Sequence, residues 1–274
     1  MKEFLSMSAV ISGNGLGLFN SSAAMLGGQF DPGKPSLGQA SEQVFVNAAT
    51  GNLVIQGKDE QVKGLGLGLG IVRTYNSEGH FDGDNNDQWR LGFLKSTNLE
   101  GARNSSGSVV TRTTADGYAQ RFVYDTARKE YVSKAGSGAD DTLTFNADGS
   151  ATLKIDGANT KNTQETYNAA GRLTMMQGPQ GHQTTIEYTG ERASSILTKT
   201  ATGTEKTALI YNAQGLIEKL ETQSGTSGAN TRVYYGYDAN KRLSSVKVDL
   251  TPVDNSIADG KVYETKENLS IKLM

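Results

Sequence analysis

The chain has two histidines, His80 and His182, as its only imidazoles for acid–base or metal chemistry. Each follows a polar turn that contains glycine, Ser77–Gly79 and Gly178–Gly181 respectively. A histidine in such a turn is typical of a solvated loop, and the chain has no Gly-x-Ser-x-Gly or His-Glu-x-x-His motif. The absence of cysteine excludes disulfides, thiol nucleophiles and thiolate ligands. These residues therefore predict no active site.

Carboxylates form three further candidate groups. The turn Asp82–Asp87 alternates carboxylates and amides, which are the oxygen ligands that calcium prefers. It lacks the glutamate that closes a helical calcium loop, so a solvated hairpin loop is the favoured interpretation and calcium binding stays open. Asp140 and Asp141 would point to opposite faces of a strand, and Glu187 with Glu191 is a pairing expected by chance. We therefore expect no enzyme, no cofactor and no assigned metal ligand.

The run Gly64–Gly70 contains the Gly-x-Gly spacing of nucleotide-binding loops. A phosphate cradle must open a helix, whereas the β-branched residues Ile71 and Val72 follow here. The alternation instead places Leu65 and Leu67 on one face of a strand with glycine on the other. This pattern predicts a structural strand.

Composition narrows the classes of partner. The net charge is −2, which argues against the basic footprint of a nucleic-acid binder. No apolar run approaches the length of a membrane span, and the N-terminus lacks the apolar core of a signal peptide. Residues 1–40 are rich in glycine and serine and predict a flexible leader. If the protein is exported, it uses no classical signal peptide.

A repeat dominates the chain from residue 118 onward. An aromatic residue followed by a small polar residue recurs at intervals of 21 to 26 residues. Several units continue with a glycine and then a leucine, as in Tyr167–Leu173, and the Tyr188 unit fits with a turn one residue shorter. The pairs are Tyr124-Asp125, Phe145-Asn146, Tyr167-Asn168, Tyr188-Thr189, Tyr211-Asn212, Tyr237-Asp238 and, more weakly, Tyr263-Glu264.

Each repeat unit predicts a strand, a turn and a second strand. The aromatic ring would end one strand in the core, asparagine or aspartate would bond within the turn, and glycine would supply a positive φ. One unit is too small to be stable alone, so neighbouring units must pair edge to edge. The predicted structural residues are Tyr124, Phe145, Tyr167, Gly171, Arg172, Leu173, Tyr188, Tyr211, Gly215, Tyr237, Arg242 and Leu243.

These elements predict an all-β fold in which antiparallel strand–turn–strand repeats form one continuous curved sheet. Two β-prone runs, 44–46 and 53–55, flank an Asn/Gly turn and predict a hairpin ahead of the repeats. The predicted division is a leader at 1–40, an opening β segment at 41–117, about seven repeat units at 118–266, and a tail at 267–274 that abandons the repeat.

At these residues the sequence resembles the Rhs/YD-repeat family, whose unit is Tyr-Asn/Asp-x-x-Gly-Arg-Leu. Tyr167–Leu173 and Tyr237–Leu243 carry that unit best. The resemblance extends upstream to Val46–Leu53, Arg73–Ser77 and Trp89–Gly92, which are similar to the opening of an Rhs shell. The family includes bacterial polymorphic toxins, shell components of insecticidal toxin complexes, and teneurins. Its bacterial repeats spiral into a hollow cage around a C-terminal toxin.

The resemblance implies a non-enzymatic part of a bacterial shell that is made in the cytoplasm and exported in competition between bacteria. Its implied partners are the rest of the shell, the toxin cargo and a component of a secretion apparatus. The sequence departs from the family pattern because it has no self-cleavage segment and no toxin. Its ending at Lys266–Met274 is interpreted as a truncation, a frameshift or an orphan fragment.

The alternative is a secreted module for carbohydrate binding or cell-surface adhesion. Tyrosine presents a rigid apolar face with a polar tip, which suits stacking on a sugar. Tyr234 and Tyr235 fall on opposite faces of a strand, so that one of them is expected to be exposed. Core packing is favoured for Tyr237, whose position repeats. Surface glycan is the partner of this alternative.

Overall fold

The structure is a computed structural model that describes residues 9–10, 23–25, 43–47, 52–61, 70–77, 89–133, 139–155, 163–200, 203–250 and 262–266. Every regular element in these ranges is a β-strand. All strand pairs are antiparallel, and hydrogen-bonded neighbours follow chain order. The predicted all-β class is confirmed. No helix in the described ranges has the length and hydropathy needed to cross a membrane.

The strands form two sheets. The first, which we call the opening sheet, has six strands: β1 Ala9–Val10, β2 Ala23–Met25, β3 Gln43–Asn47, β4 Leu53–Gln61, β5 Gly70–Asn76 and β6 Trp89–Leu91.

The second, which we call the repeat sheet, has fifteen strands. They are β7 Ser96–Glu100, β8 Val109–Thr113, β9 Ala119–Asp125, β10 Glu130–Val132, β11 Thr142–Phe145, β12 Ala151–Ile155, β13 Thr163–Tyr167, β14 Leu173–Gln177, β15 Gln183–Thr189, β16 Arg192–Thr200, β17 Gly203–Tyr211, β18 Ile217–Ser224, β19 Asn230–Tyr237, β20 Leu243–Asp249 and β21 Val262–Lys266.

The opening sheet contains the predicted hairpin. β3 pairs with β4, with Val44 opposite Ile55 and Val46 opposite Leu53, which confirms that prediction. β5 begins at Gly70, so the strand predicted from the glycine run is confirmed from residue 70 onward, and 62–69 lie outside the described residues.

Five residues of the predicted leader belong to the opening sheet. Strands β1 and β2 pair with each other, and β2 pairs with β3, so both belong to the opening sheet. The short apolar runs at Ala9 and Ala23 pair with a strand that lies later in the chain. Local composition does not reveal such a partner. The rest of 1–40 lies outside the described residues, as do the turn 82–87, His80 and the tail 267–274.

The repeat sheet starts earlier than the predicted boundary at residue 118. Strands β7 and β8 pair in register with β9, so the division between the two sheets falls between Leu91 and Ser96. Strand β7 has half-buried and exposed residues and β8 has half-buried and buried residues, and the turn that joins them lacks the Tyr-Asn-x-x-Gly motif. The repeat motif therefore could not mark them.

The repeat sheet curls back on itself at its first edge. Six strand spacings separate β7 from β13 along the sheet, which is roughly 29 Å if the sheet were flat. Ser96 of β7 nevertheless forms a bridge with Arg172, at the turn that follows β13. The Thr97 amide donates to the Gly171 carbonyl at 2.7 Å, and the Leu173 amide donates to the Lys95 carbonyl at 3.2 Å. β7 to β13 therefore form a closed roll.

One face of the repeat sheet forms the core. Residues directly opposite each other on paired strands are buried on that face, such as Val110 with Phe122 and Tyr131 with Leu143 inside the roll. The face continues beyond the roll, where residues of the opening sheet join the same cluster. The largest fully buried side chains are Tyr131, Tyr167, Phe93, Phe122, Ile71, Leu143, Leu153, Leu173, Ile196, Leu220, Val110 and Val233.

Candidate functional site

The repeat aromatics lie at the ends of alternate strands. Phe145, Tyr167, Tyr211 and Tyr237 are the last residues of β11, β13, β17 and β19. Tyr124 and Tyr188 are the next-to-last residues of β9 and β15. Tyr167 is fully buried and the other five are partly buried against the core. Tyr263 differs, because it is the second residue of β21 and lies opposite Val248.

The turn after each aromatic is closed by hydrogen bonds within the unit. At Asn168, the backbone amide donates to the Arg172 carbonyl at 2.8 Å, and the side-chain Oδ1 accepts from the Arg172 amide at 2.9 Å. Gly171 supplies a φ of +76° and donates to the Asn168 carbonyl. Asn212 and Asp238 make the same set of bonds with Leu216 and Arg242.

Lysine replaces the turn glycine in the Tyr237 unit. Gly149, Gly171 and Gly215 have φ of +86°, +76° and +81° respectively, whereas Lys241 adopts +63° at the equivalent position. The Tyr188 turn is one residue shorter, as predicted, because Tyr188 lies opposite Ala193.

The tyrosine hydroxyls connect successive units. Tyr188 donates to the Leu173 carbonyl at 2.8 Å, and Leu173 is the residue opposite Tyr167. Tyr211 donates to the Ala193 carbonyl at 2.7 Å, and Ala193 is opposite Tyr188. Tyr237 repeats the bond to Ile217, opposite Tyr211, at 2.8 Å. Each hydroxyl therefore binds the start of the strand that follows the preceding turn.

The arginines near these turns use two kinds of contact. The Arg192 guanidinium lies 5.5 Å from the centroid of the Tyr211 ring, and that of Arg103 lies 4.6 Å from the Phe145 ring. Arg172 and Arg242 form ion pairs instead, with Glu191 at 3.0 Å and Asp238 at 2.7 Å respectively. Ring–guanidinium contacts are therefore present at Arg192 and Arg103 but do not recur at every repeat turn.

A buried ionic cluster inside the roll was missed by the sequence analysis. Glu165 of β13 is 3% exposed and accepts from Arg112 Nε of β8 at 2.8 Å. Lys95 Nζ approaches its other oxygen at 2.5 Å. The Tyr167 hydroxyl also donates to Glu165 and accepts from Arg112 Nε at 3.0 Å. The signal available in the sequence was a glutamate two residues before a repeat tyrosine, where four other units have phenylalanine, leucine or isoleucine.

The electrostatics of this cluster hold its groups in fixed charge states. Burial raises the pKa of the Glu165 carboxyl, but Arg112 and Lys95 lower it more, so that the pKa falls to about 2. Burial lowers the pKa of Arg112, and the facing Glu165 carboxylate reverses this to a net increase. Burial and the neighbouring carboxylate raise the pKa of Tyr167 well above its ordinary value. A carboxylate held ionised in this way is a weak base, but it forms strong hydrogen bonds with the cations beside it.

A second polar cluster joins the two sheets. Arg73 Nε of β5 donates to both oxygens of Asp59 of β4, at 2.7 and 2.9 Å. Tyr235 of β19 donates its hydroxyl to Asp59 Oδ2 at 2.9 Å, across 176 residues of sequence. The Arg73 guanidinium also lies 4.8 Å from the centroid of the Trp89 ring. Burial, and then the Asp59 charge, raise the pKa of Tyr235 well above its ordinary value.

The other candidate residues lie apart from both clusters. Asp140 is exposed, whereas Asp141 is buried and accepts from Gln120 Nε2 at 2.9 Å. Glu187 is near Lys206, and its carboxylate accepts from the Ser195 hydroxyl. His182 is half-buried, and its carbonyl accepts from the Gly178 amide in a turn. No group of three metal-ligating side chains occurs among the residues described.

Comparison with protein families assigns one part of the chain. Residues 44–122 match a family described as a domain of unknown function, DUF6531. The match begins in β3 and ends in β9, so it includes the opening hairpin, Arg73, Lys95 and Arg112. Comparison with curated proteins gave no match.

Proposed function

We propose that this chain is a structural, non-enzymatic module that forms the first part of an Rhs-type YD-repeat shell. In this role it encloses or delivers a C-terminal polymorphic toxin during competition between bacteria. The observation that carries the proposal is the connection between units. The same turn and the same tyrosine-to-carbonyl bond recur along a sheet that adds one strand after another in chain order.

Two further observations support a wall-forming role. The match to DUF6531 coincides with the segment that resembles the opening of an Rhs shell, and such a domain is often associated with Rhs/YD-repeat proteins. Three of the repeat tyrosines, Tyr188, Tyr211 and Tyr237, also direct their hydroxyls to backbone carbonyls of the protein, so these groups serve sheet cohesion. A sheet built from stacked repeat units can be extended by adding further units of the same structure, which suits an enclosing wall.

The alternative function, binding of surface glycan, is favoured by Tyr234. This side chain is half-buried and points away from the core face that holds Tyr235. It lies between Lys219 and Lys247, which are its cross-strand partners on either side. An aromatic ring flanked by two ammonium groups suits an acidic sugar.

The genomic sequence downstream of this chain tests the shell proposal first. We expect it to resume the Tyr-Asn/Asp repeat and to end in a toxin domain. The full-length product should then protect that domain from trypsin. A downstream sequence without further repeats, or a toxin that is digested as fast as the isolated domain, would reject the proposal.

A glycan array tests the alternative on the chain itself. Binding that is lost in Tyr234→Ala, with Tyr124→Phe as a matched control, would support glycan recognition. An array without signal would remove it.

A further inference from the structure

The position two residues before each repeat aromatic forms one row on the core face. Its six members are all buried, at 8% exposure or less: Phe122, Leu143, Glu165, Ile186, Leu209 and Tyr235. Four of them are apolar, and two carry a polar group. From these two exceptions we infer that Glu165 and Tyr235 are positional markers that fix where the non-repeat segments dock on an otherwise uniform sheet.

Glu165 contacts the first of these segments, which contains Lys95 and Arg112. Its partners, Lys95 and Arg112, lie 70 and 53 residues earlier in the chain. Lys95 immediately precedes the edge strand β7, and Arg112 lies on the adjacent strand β8. The Ser96–Arg172 bridge lies beside this contact. Within the described residues, the carboxylate of this row therefore lies where the edge strand β7 meets the turn that follows β13.

Tyr235 contacts the second of these segments, which consists of β4 and β5 of the opening sheet. Asp59 accepts the Tyr235 hydroxyl and is itself held by Arg73, so that β4 and β5 reach β19 through one carboxylate. If β4 and β5 packed one repeat unit earlier on the sheet, Asp59 would face Leu209 instead of Tyr235. Leu209 has no hydroxyl to donate to the Asp59 carboxylate.

The reason for such markers is the similarity of the units. An apolar segment that packs on one repeat unit could pack almost equally well on the next unit. Ile186 and Leu209, for example, occupy the same row position in successive units and are both buried aliphatic side chains. A segment that carries buried charges cannot shift in this way. Shifting would leave Glu165 and Arg112 buried without their ionic partners and would leave Asp59 without the Tyr235 hydroxyl, so the shifted arrangement is unfavourable. The inference goes beyond the proposed shell, because it concerns this chain alone and needs no cargo.

Disulfide trapping tests the Glu165 marker, since the native chain has no cysteine. Residues in an antiparallel bridge have Cα separations that suit a disulfide. Ser96→Cys with Arg172→Cys should therefore cross-link under mild oxidation. Ser96→Cys with Arg192→Cys, which uses the equivalent residue of the next unit, should not.

The decisive experiment repeats this cross-linking in a triple variant that combines Lys95→Met, Arg112→Leu and Glu165→Leu. These substitutions replace the buried charges by apolar groups of similar size. Such a replacement preserves stability in many proteins. We expect the 96–172 cross-link to fall at least fivefold in this background, whereas Ile186→Leu leaves it unchanged. An undiminished 96–172 cross-link in the triple variant would overturn the inference.

Tyr235→Phe provides a second test that removes only one hydroxyl and preserves the packing of the ring. Amide exchange in β4 and β5 should become at least fivefold faster, while exchange in β15 to β18 stays within twofold of the parent. Equal acceleration in all strands would indicate general destabilisation and would overturn the marker role. Unchanged exchange in β4 and β5 would do the same.

Discussion

The Tyr211 hydroxyl donates a hydrogen bond to the carbonyl of Ala193, the residue that faces Tyr188 across the preceding turn. The bond connects one repeat unit to the one before it and recurs at Tyr188 and Tyr237. Burial raises the pKa of Tyr188 to about 12, against a smaller lowering by Arg172 and Arg90, so its hydroxyl remains a donor over the physiological range. Sheet cohesion therefore depends on side chains as well as on backbone pairing.

Removing one of these hydroxyls should weaken the sheet measurably. We expect Tyr211→Phe to lower the free energy of unfolding by about 1 kcal/mol, because the Ala193 carbonyl loses its side-chain donor. Urea denaturation measures this change. The matched control is Tyr124→Phe, since within the described part of the chain Tyr124 has a ring contact at 5.1 Å with Tyr131 and no hydroxyl bond. An equal loss in both variants would contradict this role of the hydroxyl.

The turn glycines should differ in their tolerance of a methyl group. A Cβ at Gly171 would lie 2.0 Å from the Thr97 carbonyl oxygen, whereas a Cβ at Gly149 would meet its nearest atom at 3.4 Å. Both positions have positive φ, so each alanine costs about 1 kcal/mol for the backbone. We expect Gly171→Ala to lose about 3 kcal/mol in total, because the closure of the roll must also shift. Similar urea midpoints for the two variants would argue against this closure.

Lys241 should be the turn position where glycine stabilises the protein. Its φ of +63° is unfavourable for a side chain, and the equivalent residues in three other units are glycine. We expect Lys241→Gly to raise the free energy of unfolding by about 0.5 kcal/mol, after the entropy cost of glycine is subtracted. Lys241→Ala keeps the strained backbone and should give no gain. A gain in thermal midpoint that both variants share would point to the lysine charge instead.

Acid should remove the contribution of Glu165. Its pKa is lowered to about 2 in the folded protein from 4.5, so its stabilisation is fully present above pH 4.5 and disappears as the pH falls through 2. The difference in unfolding free energy between the parent and Glu165→Gln should shrink by roughly 3 kcal/mol over that interval. Other acids cancel in this difference. A difference that does not change with pH would show that Glu165 gains no net stabilisation from its ionised form.

The repeat turns could be predicted from the sequence because their determinants are local. Asn168 bonds to residues no more than four positions away, and Gly171 supplies the φ that the turn requires. The same holds for the hairpin of β3 and β4, whose turn residues separate two short β-prone runs. In these cases the residue types specify the backbone directly.

The two polar clusters could not be predicted because their partners are distant in the chain. Glu165 and Arg112 meet only because the sheet curls, and alternation within a strand does not give that curvature. Asp59 and Tyr235 meet only because the opening sheet packs on one particular repeat strand. A glutamate in an apolar row shows that a partner is needed but does not identify it.

Hydrogen–deuterium exchange of the 274-residue chain tests the central claim most directly, namely that the repeats form one continuous sheet. The structure predicts slow amide exchange in β8 to β19, interrupted by faster exchange at the exposed turn residues 169–170, 190–191 and 213–214. Protection should therefore rise and fall with the period of the repeat. Uniformly fast exchange from residue 139 to residue 250, or protection without that period, would contradict the continuous repeat sheet.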